Sequence, residues 1–212
     1  MKNKNALIIL LLLIVLLLAA LLLFFVLTGD RSDDNTTQGP SEDALRFKEE
    51  YERYNGVLGA DGEPLAELYI RQNNRVEYAS FGRLIDRIDS GTGVIFFSSP
   101  ACPWSRQILP TLLNALNYQG VGALYYNIDY DRAAQNQNYL IILDRLHDYL
   151  PADDFDPELR QVTTPHIFVV RDGVIVSESM MNGHHLLVDN DLERVEAHFF
   201  HMFRALEGTT CC

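Results

Sequence analysis

Ala6 to Leu27 is an unbroken run of 22 residues without a charge, followed by Thr28-Gly29 and then by Asp30, Arg31, Asp33 and Asp34. At about 1.5 Å per residue, a helix over this run is roughly 33 Å long, enough to cross a hydrocarbon core of about 30 Å. A cleaved signal peptide has a shorter apolar region that ends in a small-x-small site. This run ends in Phe24-Phe25-Val26-Leu27 with no cysteine after it to carry lipid, so it reads as an uncleaved transmembrane signal anchor. Lys2 and Lys4 precede it, which places residues 1–5 in the cytoplasm and everything after Leu27 across the membrane. No second run of this kind occurs. A multi-span transporter is thereby excluded, and what remains has the length of one ordinary domain.

That exported body is acidic. The chain has 212 residues, with 17 Lys and Arg against 29 Asp and Glu, a formal net charge of −12. Binders of nucleic acid or of anionic lipid need a basic face, so no nucleic-acid partner is expected, and the membrane is met through the one helix alone. Three cysteines are too few for a disulfide scaffold. Residues 28–41 are polar, carry Gly39-Pro40 and read as a flexible tether.

Beyond the tether, Ala44, Phe47, Tyr51 and Tyr54 share one helical face that stops at Asn55-Gly56. Leu65 to Ile70 is a weak strand signal within an N-terminal extension over 42–79. Ser80 then caps a helix carrying Phe81, Leu84, Ile85 and Ile88. Val94 to Phe97 reads as a buried strand and Ile108 to Leu116 as one face of a helix; Val121 to Ile128 follows as a strand and Tyr139 to Leu150 as a helix. Ile167 to Val170 and Val174 to Ser177 form a hairpin through Arg171-Asp172-Gly173. A last helix carries Leu192, Val195, Phe199, Met202, Phe203 and Leu206. The order β-α-β-α-β-β-α predicts an α/β domain: parallel strands joined by helical crossovers, a terminal antiparallel hairpin, and helices over a mixed sheet.

Between the first buried strand and its helix stands Ala101-Cys102-Pro103-Trp104-Ser105. A cysteine at the first turn of a helix has its sulfur near unpaired backbone N–H groups and the positive end of the macrodipole, which stabilise a thiolate and make a nucleophile. Pro103 has no N–H to lose there, and its fixed φ suits a helix start.

With Cys102-Pro103-Trp104-Ser105 after the strand, and Thr164-Pro165 before Ile167-Phe168-Val169-Val170, the chain from about Ser80 to Gly208 resembles the thioredoxin-like superfamily. In that superfamily a Cys-x-x-Cys turn faces a cis-proline. Phe47-Lys48-Glu49-Glu50-Tyr51, Tyr54-Asn55-Gly56 and Pro100 to Trp104 look more narrowly like membrane-anchored exported bacterial thioredoxin-like proteins of the bacteriocin-transport-accessory type. The resemblance implies a thioredoxin-like domain over 80–208, a cis bond at Thr164-Pro165, thiol chemistry at Cys102, and client contacts at Pro103, Trp104, Thr164 and Pro165.

The departure from that pattern is Ser105, which stands where dithiol members carry the second cysteine. In the two-cysteine mechanism that thiol resolves the mixed disulfide. A hydroxyl can donate a hydrogen bond to the Cys102 thiolate but forms no disulfide. Phe96, six residues before Cys102, stands in place of the buried acid of dithiol thioredoxins. The expected activity is therefore monothiol thiol–disulfide exchange on exported proteins, an oxidoreductase or isomerase without a resolving cysteine, helped by a membrane redox or secretion partner. A redox-inactive adaptor for a secreted or membrane client is the alternative. His166 has even odds of facing Cys102 or the other side of its strand. His184-His185, His198 and His201 lack a cysteine or carboxylate at matching spacing, so no metal and no cofactor is expected. Cys211-Cys212 reads as part of a disordered tail over 209–212.

Overall fold

A computed structural model of the chain describes residues 39–152, 156, 158–180 and 192–207. The expected anchor at 6–27, the part of the expected tether before Gly39, His184-His185, and Gly208 with Cys211-Cys212 lie outside the described residues.

The first helix, α1 (Glu42–Glu52), starts where Ser41 accepts a hydrogen bond from the Ala44 N–H at 3.0 Å, and Glu42 and Asp43 complement the dipole in its first turn. Its apolar face buries Ala44, Phe47 and Tyr51; Tyr54 falls in the turn beyond the helix. There follow β1 (Val76–Tyr78), α2 (Phe81–Ser90, capped by Ser80), β2 (Gly93–Ser98), α3 (Pro103–Gln119), β3 (Ala123–Asn127), α4 (Asp129–Ala134), α5 (Gln137–Leu146), β4 (His166–Arg171), β5 (Val174–Met180) and α6 (Leu192–Arg204).

The five strands form one mixed sheet in the order β1-β3-β2-β4-β5. β1, β3 and β2 are parallel, β4 is antiparallel to β2, and β5 is antiparallel to β4. Each face carries its own core. Val94, Phe96, Tyr125, Ile167 and Val169 pack against α1, α3 and α6, while Ile95, Phe97, Tyr126, Phe168 and Val170 pack against α2 and α5. β2 is buried on both faces, which is why it reads as a continuous apolar run rather than as an alternation. Between β4 and β5, Asp172 and Gly173 both take positive φ, 52° and 75°. A Cβ on Gly173 would come within 2.3 Å of the Asp89 carbonyl oxygen, so both the turn and the close approach require glycine there.

Three expectations are corrected. Leu65 to Ile70 is not a strand. Side chains of α1 and the turn after it satisfy its backbone: Asn55 bonds Leu68 on both sides at 2.8 and 2.9 Å, and Glu52 accepts the Ile70 N–H at 2.7 Å. The first strand is instead Val76–Tyr78, three residues whose half-polar character hides them. The helix expected over 139–150 begins at Gln137 and ends at Leu146 in a single 3₁₀ turn, His147–Tyr149, and the short α4 precedes it. The crossover through α5 also delivers an antiparallel strand. The long segment after it returns the chain to the sheet end where β2 finishes, so that His166 opens β4 opposite Phe97.

Residues 42–79 are part of the same body as the rest. β1 is a strand of the sheet, and Phe47 and Tyr51 of α1 pack edge-on with Tyr125 of β3 at centroid distances of 4.9 and 5.9 Å.

Candidate functional site

The end of β2 launches the site. After Ser98 the chain turns through Ser99-Pro100-Ala101, a turn closed by the Cys102 N–H donating to the Ser99 carbonyl at 3.1 Å. Cys102 is the N-cap of α3, with extended φ and ψ of −78° and 119°, and Pro103 occupies the first helical turn without an N–H to waste. The cap is the sulfur itself: the Ser105 N–H points to Cys102 Sγ at 3.5 Å. From the other side, the thiol donates to the Thr164 carbonyl at 3.1 Å. The Thr164–Pro165 bond is cis.

Cys102, Ser105 and Thr164 are thus joined by direct hydrogen bonds. Trp104 is 42% exposed, Pro103 lies beside it at the surface, and Pro165 is buried at the start of β4. Ser105 acts differently from the expectation. Its side chain is buried, and its hydroxyl has no hydrogen-bond partner among the described residues, so the contact to sulfur comes from its amide. Cap geometry is the reason, because the third residue of a helix aims its N–H, not its side chain, at the N-cap side chain.

Phe96 is fully buried on the α3 side of the sheet. The buried polar pair on that side is the Tyr51 hydroxyl with Ser98 Oγ. Burial, the largest influence, pushes the Tyr51 phenol well above its usual range, so it remains protonated. A second polar chain links the two walls of the site. The Ser99 hydroxyl donates to Asp129, Arg132 pairs with Asp129 at 2.9 Å, and Arg132 also donates to the Val162 carbonyl at 3.1 Å, just before Thr163-Thr164.

One residue escapes sequence reading. Arg106, four after Cys102, is fully buried, and among the described residues it has no carboxylate partner. Its Nε donates to the Ala66 carbonyl at 2.8 Å, Nη1 to the carbonyls of Tyr51 at 2.7 Å and Pro100 at 3.1 Å, and Nη2 to Asn55 Oδ1. Desolvation lowers its pKa, though a guanidinium stays charged. The available signal was its place on the buried face of α3, between Cys102 and Ile108.

His166 takes no part in this site. It stacks on Phe168 with centroids 4.1 Å apart, on the face opposite α3, and its Nε2 lies 2.8 Å from Glu178. Burial lowers its pKa, with Glu178 pulling the other way. The unfolded chain then binds this proton more readily than the folded one, so stability is full above the unfolded value of about 6.5 and is lost as pH falls below it. Tm should therefore drop more between about pH 7.5 and 5.5 in the wild type than in His166→Gln. An equal drop in both would show that this proton is not bound on unfolding. His198, half-buried against Ser179 and lowered by burial and then by His201, is present in both proteins and cancels in the comparison.

Compared with models of known families, with curated proteins and with solved structures, the chain matches none.

Proposed function

We propose that this is a thioredoxin-like domain held outside the cell membrane by the 6–27 anchor, and that Cys102 carries out monothiol thiol–disulfide exchange on exported proteins. The observation that supports it best is the placement of one sulfur. Cys102 Sγ caps α3 at the end of the central strand and meets the Thr164 carbonyl of a cis X-Pro pair just before β4. Cys102 is only partly buried, with Trp104 exposed next to it in the chain as a contact for an arriving client.

The chemistry balances without a cofactor. The Cys102 thiolate attacks one sulfur of a client disulfide, a new S–S bond forms, and the other client sulfur leaves as a thiolate. No net oxidation or reduction has yet occurred. The Ser105 amide holds the sulfur before attack, and its hydroxyl cannot attack the adduct. Release waits for the client's own thiol, which completes an isomerisation, or for a thiol supplied by a membrane redox or secretion partner. Pro103, Trp104 and Thr164 form the client-facing surface in this reading, with Pro165 buried next to Thr164 in the chain.

The test is capture. After rapid acid quenching, membranes carrying the wild-type protein should yield reductant-sensitive adducts, and Cys102→Ala should yield none. If Cys102→Ala recovers the same partners as the wild type and no adduct is sensitive to reductant, the thiol chemistry is wrong and the domain is an adaptor.

A further inference from the structure

The buried guanidinium of Arg106 is not explained by charge pairing, since all its described contacts are to neutral oxygens: three main-chain carbonyls and the Asn55 amide. Burying an unpaired charge is costly, and a fork that meets four acceptors in fixed directions is a reason to retain it. Those acceptors come from the end of α1, the turn after it, the irregular segment at Ala66, and Pro100 in the turn that carries Cys102. One side chain therefore ties the Cys turn to two stretches of chain far from it in sequence.

The backbone of Arg106 grips the same turn from the other side. Its N–H donates to the Cys102 carbonyl at 3.1 Å, the first helical bond of α3. Four residues on, Pro110 lies inside the helix and has no N–H to return to the Arg106 carbonyl. The first turn of α3 is thus tied to the rest of the helix by one bond fewer than usual. Its position depends correspondingly more on side-chain anchoring, and the Arg106 fork supplies it at Pro100, two residues before the sulfur.

We infer that Arg106 is the positioning residue of the Cys102 turn: its fork holds the Pro100 carbonyl against α1 and so keeps Cys102 Sγ on the Ser105 N–H and the Thr164 carbonyl. The inference rests on the reading that Cys102 is the reacting atom, but its test needs no client. A positioned thiolate reacts faster, and misplacement of a reacting group costs rate even where the fold survives.

The experiment measures alkylation of Cys102 by iodoacetamide, in which the thiolate displaces iodide. It uses the full-length protein in detergent, with Cys211 and Cys212 replaced by Ser so that one thiol is read. Arg106→Met should slow labelling about tenfold at temperatures where circular dichroism shows the native fold. Arg106→Lys, which keeps the charge but loses the planar fork, should recover only part of the rate. Ile142→Ala, a cavity on the opposite face of the sheet, should lower Tm yet leave labelling within about twofold of wild type.

Wild-type labelling in Arg106→Met, or an equal slowing in Ile142→Ala, would overturn the inference by making Arg106 a stability residue only. Should Arg106→Met fail to fold, Arg106→Lys decides: a wild-type rate overturns the inference, and a slowed rate with a native spectrum supports it. Loss of client adducts in the wild type, with the Arg106 dependence of alkylation intact, would count against exchange on clients and leave this inference standing.

Discussion

Replacing Ser105 by Cys should shorten the life of a mixed disulfide at Cys102 and let its client go. The Ser105 side chain is fully buried one helical turn from Cys102, and its amide already contacts the sulfur, so a thiol introduced there sits where it can attack a Cys102 mixed disulfide from within. Such an attack is intramolecular, and oriented intramolecular reactions reach effective concentrations far above any cellular thiol. It forms a disulfide between Cys102 and the introduced thiol, expels the client as a thiol, and leaves the client reduced by two electrons and the protein oxidised by two. Adducts in Ser105→Cys should decay at least about a hundredfold faster than in wild type, and with dithiothreitol as electron donor the variant should gain catalytic insulin reduction. The removal of a buried hydroxyl that has no partner among the described residues means that the substitution should cost little stability. Adducts of equal lifetime in the two proteins would mean that resolution at position 105 is not what limits release.

A chain shortened to begin at Ser80 should not fold. The break would follow the resemblance to a thioredoxin-like domain over 80–208, yet it removes β1 from the sheet and strips Phe47, Tyr51 and Tyr78 from around Tyr125, where their rings lie 4.9, 5.9 and 5.1 Å away. It also takes Leu65, Leu68 and Ile70 from the core and the acceptors at Tyr51, Asn55 and Ala66 from Arg106, leaving a buried guanidinium with Pro100 alone. Truncating one buried aromatic costs about 3–5 kcal/mol, so losing the buried Phe47 and Tyr51 alone removes much of a domain stability of about 5–15 kcal/mol. The shortened chain should show no near-ultraviolet signal and no cooperative thermal transition. A chain beginning at Gly39 should show both. A cooperative melt from Ser80 onward would make residues 42–79 an accessory.

Local chemistry made much of this domain readable. Ser80 announced a helix start because a short polar side chain can satisfy an end-of-helix N–H from its own backbone position. Val94 to Phe97 and Ile167 to Val170 were legible because strands buried on both faces need apolar residues at every position. Cys102 at the N-cap followed from the adjacency of strand, cysteine and Pro103, all within one turn of chain. Asp172-Gly173 carried its own backbone requirement.

Long-range partners decided the rest. A three-residue strand such as Val76–Tyr78 exists through pairing with β3, and Leu65 to Ile70 fails to be a strand because Asn55 and Glu52 take its backbone bonds. The antiparallel entry of β4 depends on where a long irregular segment returns, which no periodicity records. Ser105 offered two groups to the sulfur, and only the path of α3 determined that the amide reaches it while the hydroxyl is turned inward. Arg106 was one charged residue on an apolar helix until folding brought together four oxygens from three separate stretches of chain. The sequence by itself determined where the Cys102 thiol would stand, because helix caps and strand ends are set by neighbours along the chain. Only the tertiary structure decided what holds it there, because hydrogen-bond partners 40 to 62 residues apart are chosen by packing.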